Sequence, residues 1–210
     1  MTETKPILRW SSDIPTLITE TDKNTKIVVG LDRDGTINKD LGTYVTTPED
    51  FEPIPGSIEA ITTLKKLKYQ VVIITNQGGI QKGLMTQADV ESIHQKMFKL
   101  LGDAGCRYID GLYYSETSQK KDIYAKPSTG MFKRCEKENP NIKFSRGYYV
   151  GDKMSDLKVA MKMGAKPILV RTGYGVETEK LLNRFTYKKI KAKTKVFDNL
   201  KSFVDSLDVS

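Results

Sequence analysis

Residues 26–31 read Lys-Ile-Val-Val-Gly-Leu, and two carboxylates follow at once in Asp32-Arg33-Asp34-Gly35-Thr36. A near-continuous β-branched run of this kind suits a strand buried on both faces of a parallel sheet. Residues 71–74, 111–114, 148–150 and 168–170 have the same character. Between these runs the apolar period lengthens to that of a helix. Ser57 is placed as N-cap before Ile58, Ile61, Leu64 and Leu67, and Thr86 with Asp89 has the spacing of a capping box ahead of Val90, Ile93, Met97 and Leu100. Ser155 is placed as the cap of a helix over 156–163 that Gly164 closes, and Phe197, Leu200, Phe203, Val204 and Leu207 are read as one face of a terminal helix. Strands alternating with helices predict an α/β domain around a mainly parallel sheet with right-handed crossovers.

The chain has 210 residues, enough for one ordinary domain, and its 38% hydrophobic and 29% charged residues exclude a membrane-embedded protein. No run approaches the roughly 18 apolar residues needed to cross a bilayer. Residues 1–26 lack a signal-peptide pattern, so a cytoplasmic protein with no membrane partner is expected. They also lack a clear period and are read as an extension lying over the domain of residues 27–210, with Trp10 as its anchor. Cys106 and Cys135, the only cysteines, are expected as reduced thiols, and the single histidine, His94, as a structural residue of its helix. The net charge is +8, and the excess is local: between 184 and 195 stand six basic residues and no acid. A solvated lysine-rich edge is the expectation there; a groove for a polyanion is the alternative.

Ligands of open α/β sheets bind beyond the carboxyl ends of the strands. Those ends carry Asp32 and Asp34, then Thr75-Asn76-Gln77, then Asp152-Lys153. Carboxylates gathered this closely are costly unless a cation sits among them, and Mg²⁺ is the simplest hard ion for oxygen ligands. Asp32 and Asp34, two residues apart at a strand end, point the same way. One can then attack phosphorus while the other handles the proton of the leaving oxygen, and Gly35 lets the chain turn away.

Four segments in order, LDRDGTIN (31–38), TNQGGIQKG (75–83), KPSTGMF (126–132) and GDKMSDLKVAMKMGAK (151–166), resemble the four motifs of the haloacid dehalogenase-like (HAD) phosphatases. Residues 32–38 followed by 43–61 are similar to the histidinol-phosphate and heptose-bisphosphate phosphatase branch. The resemblance implies a Rossmann-like three-layer sandwich. It implies Asp32 as nucleophile through an aspartyl-phosphate and Asp34 as general acid/base that also offers a backbone carbonyl to the metal. Thr75 would hold a phosphoryl oxygen, and Lys126 would neutralise charge on the transferring group. Asn76, Gln77 and Lys153 would face the substrate. Asp152 would complete the Mg²⁺ site with Asp32 and Asp34, and Asp156 would either support that loop from behind or only satisfy the first turn of its helix.

The sequence departs from that branch in two places. Many members carry Cys and His zinc ligands just before the Lys-Pro pair, whereas residues 114–124 hold neither, so no zinc is expected. The branch also tends to place Arg before the Lys; here it is Ala125, which removes a bidentate phosphate ligand. The 40 residues between Asp34 and Thr75 and the 50 between Thr75 and Lys126 leave no room for a cap domain, so residues 40–47 and 114–124 become the rim of an open site. The expected substrate is a small-molecule phosphate ester, a sugar phosphate or bisphosphate, hydrolysed by a monomer. Histidinol phosphate and a polynucleotide 3′-phosphate are the enzymatic alternatives, and a catalytically silent binding module is the non-enzymatic one. Nucleic acid is the less favoured partner, because no P-loop and no aromatic-rich groove motif accompany the site.

Overall fold

Alternate residues of each central strand enter different cores, which is how the period-2 pattern becomes three layers. The computed structural model describes residues 27–119 and 121–207; the extension over 1–26, with Trp10, lies outside them. Six strands, β1 (Val28–Leu31), β2 (Gln70–Asn76), β3 (Gly111–Ser115), β4 (Tyr148–Gly151), β5 (Lys166–Val170) and β6 (Lys195–Phe197), form one sheet in the order β3-β2-β1-β4-β5-β6. Every neighbouring pair is parallel. Val29, Leu31, Val71 and Ile73 face helices α1 (Ser57–Lys66), α2 (Gln87–Asp103) and α7 (Leu200–Asp205). Val28, Val72, Ile74 and Tyr149 face α3 (Gly130–Glu138) and α4 (Met154–Met163) on the other side. A smaller cluster of Leu157, Leu169 and Leu182 lies between α4, β5 and α5 (Gly175–Leu182). Cys106 and Cys135 are free and buried in opposite cores. Among the described residues no helix is long and apolar enough to cross a membrane.

The α/β fold with a parallel sheet is the one expected, and it is Rossmann-like in strand order. The capping box of Thr86 with Asp89 is present, and Gly164 closes α4 at φ 72°. Three local expectations are corrected. Ser57 is not the cap of α1: that place is taken by Gly56, and the Ser57 hydroxyl donates to the Ile37 carbonyl at 2.6 Å, tying the helix to the loop after β1. Ser155 lies inside α4, whose N-cap is Lys153 and whose first turn is satisfied by the Asp156 carboxylate. Phe197 ends β6 rather than opening the last helix, because Asn199 caps α7 two residues later through Ser202 N at 2.8 Å.

Between β1 and α1, and between β2 and β3, the described chain contains only loops and the helices named above, with no inserted domain. The basic stretch 184–195 holds a 3₁₀ turn (Phe185–Tyr187), the short helix α6 (Lys188–Lys191) and the first residue of β6.

Candidate active site

The strand order reverses between β1 and β4, and the chain leaves both strands at that crevice. Asp32 follows β1 and its N–H donates to the Val150 carbonyl of β4 at 2.9 Å, so Asp32 and Asp152, the residues after two adjacent strands, emerge side by side. Asp156, in the first turn of α4, comes up from below. Ligand oxygens of Asp32, Asp152 and Asp156 all lie within 4.8 Å of one another, and all three residues are buried.

Lys126 is the cation of this cluster. Its Nζ pairs with Asp32 Oδ1 at 2.8 Å and Asp156 Oδ1 at 2.7 Å and donates to the Tyr149 hydroxyl at 3.1 Å. Burial alone would lower its pKa; the charges of Asp156 and Asp32 more than offset that and hold it well above the usual lysine value. Tyr149 is itself fixed by donating to the Ile74 carbonyl at 2.6 Å.

Lys126, even with Lys153 pulling on Asp152 and Asp32 from the rim, does not balance three carboxylates. Burial pushes Asp32 up to about 6, against the pull of Lys126. Burial pushes Asp152 up to about 8, with Asp156 and Asp32 adding to the rise. Asp152 Oδ2 accepts from Tyr174 N at 2.8 Å, but its buried Oδ1 has no hydrogen-bond partner among the described residues. A buried carboxylate oxygen left bare beside two further carboxylates fits a hard divalent cation and is costly without one.

Asp34 belongs to a different network. Its carboxylate accepts from Arg33 Nε at 3.0 Å and Nη2 at 2.9 Å, from Asn38 Nδ2 at 2.9 Å and from Gln77 Nε2 at 3.0 Å. Burial would raise its pKa, but the Arg33 guanidinium and these donors bring it below the ordinary value. Arg33 is fully buried and also donates to Gln77 Oε1 at 2.9 Å. Its Nη1 lies 3.2 Å from His94 Nε2, and a guanidinium only donates, so His94 is neutral with its proton on Nδ1. Burial, reinforced by Arg33, holds His94 well below its usual pKa.

This geometry has known relatives. A family model described as polynucleotide kinase 3 phosphatase matches residues 27–172. The D-glycero-beta-D-manno-heptose-1,7-bisphosphate 7-phosphatase of Pseudomonas putida is 34% identical over 177 residues, covering 84% of this chain and 97% of that protein. The chain belongs to the HAD phosphatases. The enzyme of the same name from Photorhabdus laumondii is 40% identical over 161 residues, covering 72% of this chain and 84% of its own. Among solved structures, the D,D-heptose 1.7-bisphosphate phosphatase of B. bronchiseptica, complexed with magnesium and phosphate, superposes with a TM-score of 0.77 at 29% identity, covering 87% of this chain and 97% of that one.

In this HAD phosphatase the structure places the sequence-derived residues as follows. Asp32, Lys126, Asp152 and Asp156 meet in one cluster, whereas Thr75, near the end of β2, is tied to the Asp34 network through Gln77, whose Nε2 donates to Thr75 Oγ1 at 2.9 Å and to Asp34 Oδ2 at 3.0 Å. The Asp34 carboxylate stands apart from the other three, so the part expected of Asp34 at a metal would fall to its backbone carbonyl. Asn76 and Gln77, expected to face substrate, have their side-chain amides committed within the protein. Asn76 grips the Lys126 backbone, and Gln77 ties Asp34 to Arg33 and Thr75. Lys153 Nζ reaches Asp40 Oδ2 on the rim at 2.9 Å and lies 4.7 Å from the Tyr174 ring centroid. Asp156 both satisfies its helix, accepting from Lys153 N at 2.9 Å, and pairs with Lys126. Ala125 is fully buried, its N–H donating to Asp122 Oδ1 at 2.9 Å.

Sequence reading missed Arg33, Tyr149 and the partner of His94. Arg33 sits between the two aspartates and His94 is the only histidine, yet nothing in a linear pattern joins positions 61 apart.

Proposed function

We propose that this HAD phosphatase is a Mg²⁺-dependent phosphomonoesterase acting through an aspartyl-phosphate on a small phosphorylated sugar, with a heptose bisphosphate as the leading substrate. The observation that carries the reading is Asp32 at the switch point, paired to buried Lys126 and flanked by the bare Asp152 carboxylate. The names of the P. putida and P. laumondii relatives supply the sugar bisphosphate.

One oxygen of the Asp32 carboxylate attacks phosphorus, the phosphorus–oxygen ester bond breaks, and the departing alkoxide takes a proton from Asp34. Water then attacks the phosphorus of the acyl phosphate and gives its proton to Asp34; the bond to Asp32 breaks and inorganic phosphate leaves. The carboxylate held by Arg33, Asn38 and Gln77 is the ionised form that the second half requires, and to donate in the first half it must part from Arg33. Lys126 offsets negative charge on the phosphoryl group while keeping Asp32 oriented, and the Thr75 hydroxyl is free to donate to a phosphoryl oxygen. Asp32 and Asp152, with the Asp34 carbonyl, would hold Mg²⁺, which supplies electrostatic stabilisation of the transferring group when bound.

Absence of an inserted domain leaves the site open, so residues 40–47 and 114–124 choose the substrate, and the Lys153–Asp40 pair spans one side of that mouth. With Ala125 buried where the branch tends to have Arg, recognition of a second phosphate falls to rim lysines. The family model's description keeps a 3′-phosphorylated polynucleotide as the second reading. A phosphate-release screen with Mg²⁺ over heptose and other sugar bisphosphates, histidinol phosphate and a 3′-phosphorylated oligonucleotide decides between them. The sugar bisphosphate is expected to show the highest kcat/KM. Highest kcat/KM on the oligonucleotide, or no turnover of any ester, overturns the reading.

A further inference from the structure

The basic stretch 184–195 lies at the β6 edge of the sheet, away from the β1–β4 switch point that holds Asp32 and Asp152. Tyr174, just before α5, bonds Asp152; α5 then carries the chain away from the site, and β6 returns parallel to β5. Lys195 pairs with Ile168, the middle residue of β5, while Phe197 at the far end of β6 accepts from Arg171 N. Residues 183–194 therefore lead into the edge strand of the sheet, whereas Asp32 and Asp152 follow its two central strands.

Arg184, Lys188, Lys189, Lys191, Lys193 and Lys195 are all exposed, and none forms an ion pair among the described residues. Lys191 donates to Asn183 Oδ1 at 2.8 Å. Further basic residues stand at the starts of β5 and β4. Lys166 opens β5 in register with Tyr148, and Lys143 and Arg146, just before β4, are exposed as well. The like charges of 184–195, with no acid in that stretch, repel one another and attract a polyanion. In their midst Phe185 is 89% exposed, the most exposed large apolar side chain among the described residues. Its neighbours behave differently: Tyr187, Ile190 and Val196 pack against Leu157, Leu169 and Leu182.

We infer that this edge binds single-stranded nucleic acid, with phosphates on the lysines and one base stacked on Phe185. A bare ring flanked by cations is the minimal platform for a base and its backbone. An anionic bilayer is the weaker fit, because surface-seated segments bury a broad apolar face and this edge turns its other apolar side chains inward, leaving one ring outside. The inference is independent of the substrate at Asp32.

The test uses the full chain and a labelled, unphosphorylated oligonucleotide of about 20 nucleotides, read by fluorescence anisotropy between about 50 and about 200 mM salt. Three to five phosphate contacts predict that log Kd rises with log salt at a slope of roughly 2 to 3.5. Phe185→Ala is expected to weaken binding about tenfold with that slope unchanged. The triple variant Lys188→Glu, Lys189→Glu, Lys191→Glu is expected to weaken it more than about thirtyfold and to flatten the slope. Both variants should keep wild-type hydrolysis of a small phosphate ester and an unchanged melting temperature, which separates lost contact from lost fold. Three results overturn the proposal: no binding at the lowest salt, binding indifferent to both variants, or lysine-dependent capture by phosphatidylserine vesicles without capture of the oligonucleotide.

Discussion

The side-chain amide of Asn76 grips Lys126 by both ends of its backbone: Asn76 Oδ1 accepts from Lys126 N at 2.9 Å, and Asn76 Nδ2 donates to Lys126 O at 3.1 Å. The end of β2 thus fixes the lysine that pairs with Asp32, the proposed nucleophile. Asn76→Ala removes two hydrogen bonds and should cost about 1–3 kcal/mol of stability. Turnover should fall about 10- to 100-fold, because the loop carrying Lys126 loses its tether. Phosphate release and thermal melts check both, and kcat within twofold of wild type would show that the grip does not position the lysine.

Asp32→Asn keeps size and shape but removes the proposed nucleophile, and turnover should drop by at least about a thousandfold. The metal-free fold should tolerate it at pH 8. Burial has pushed Asp32 up to about 6, so its charge is unfavourable there, and Lys126 retains Asp156 as a partner. Melting of the variant below wild type at pH 8 would contradict that electrostatic account.

Protons and Mg²⁺ should compete for the same carboxylates. Asp152 is raised from 3.8 to about 8 and Asp32 from 3.8 to about 6, so in that window the folded protein binds more protons than the unfolded chain. Metal-free stability contributed by these groups therefore falls as pH rises, by up to about 1.4 kcal/mol per pH unit for each group between its two pKa values. Mg²⁺ needs the ionised carboxylates, so its stabilisation, about 2.7 kcal/mol at a hundredfold excess over Kd, should be largest near pH 8 and shrink toward pH 5.5. Thermal melts with Mg²⁺ and with chelator across that range test it. A Mg²⁺ effect that grew on acidification would remove the ion from this cluster.

His94 should give a slope of the opposite sign. Its folded pKa is depressed well below 6.5, so its stabilising contribution is complete above about 6.5 and is lost as pH falls below it, because only the unfolded chain takes up the proton. His94→Gln preserves an acceptor for Arg33 and cannot titrate. Wild-type stability minus variant stability should stay level above pH 7 and decline by up to about 1.4 kcal/mol per unit below about 6.5. A level difference from pH 7.5 to 5 would mean that His94 takes up its proton as readily in the fold as in the unfolded chain.

The strand ends were legible because burial on both faces imposes a composition that a linear reading detects, and the residue after such a strand must lie at the sheet edge. Asp32, Thr75 and Asp152 could be placed on that basis, and Lys126 through its motif. The site's support was not legible in the same way. Arg33 with His94, and Lys126 with Tyr149, are pairings that exist only once α2 and β4 have docked on β1 and β2. Phe197 shows a different limit. Its spacing to Leu200, Phe203 and Val204 fits a helical face, but the Asn199–Ser202 capping box starts the helix after it, and three residues are too few to show a strand period.

Two glycines test whether the Asp152 carboxylate must stand where it does. A Cβ on Gly35 would lie 2.2 Å from Asp152 Oδ2, and one on Gly173 would lie 2.3 Å from the same atom. Both have positive φ, +82° and +55°, so Gly→Ala carries a backbone cost of about 1–2 kcal/mol as well as the collision. Gly83 separates the two effects: its φ is +68°, and nothing lies within 4 Å of its Cβ position. Gly83→Ala should lose stability alone and keep its response to Mg²⁺. Gly35→Ala and Gly173→Ala should lose comparable or greater stability, and because Asp152 must swing away they should also lose most of the Mg²⁺-induced rise in melting temperature and at least about tenfold in kcat. Equal Mg²⁺ responses in all three variants would mean that the carboxylate between Gly35 and Gly173 does not hold the ion.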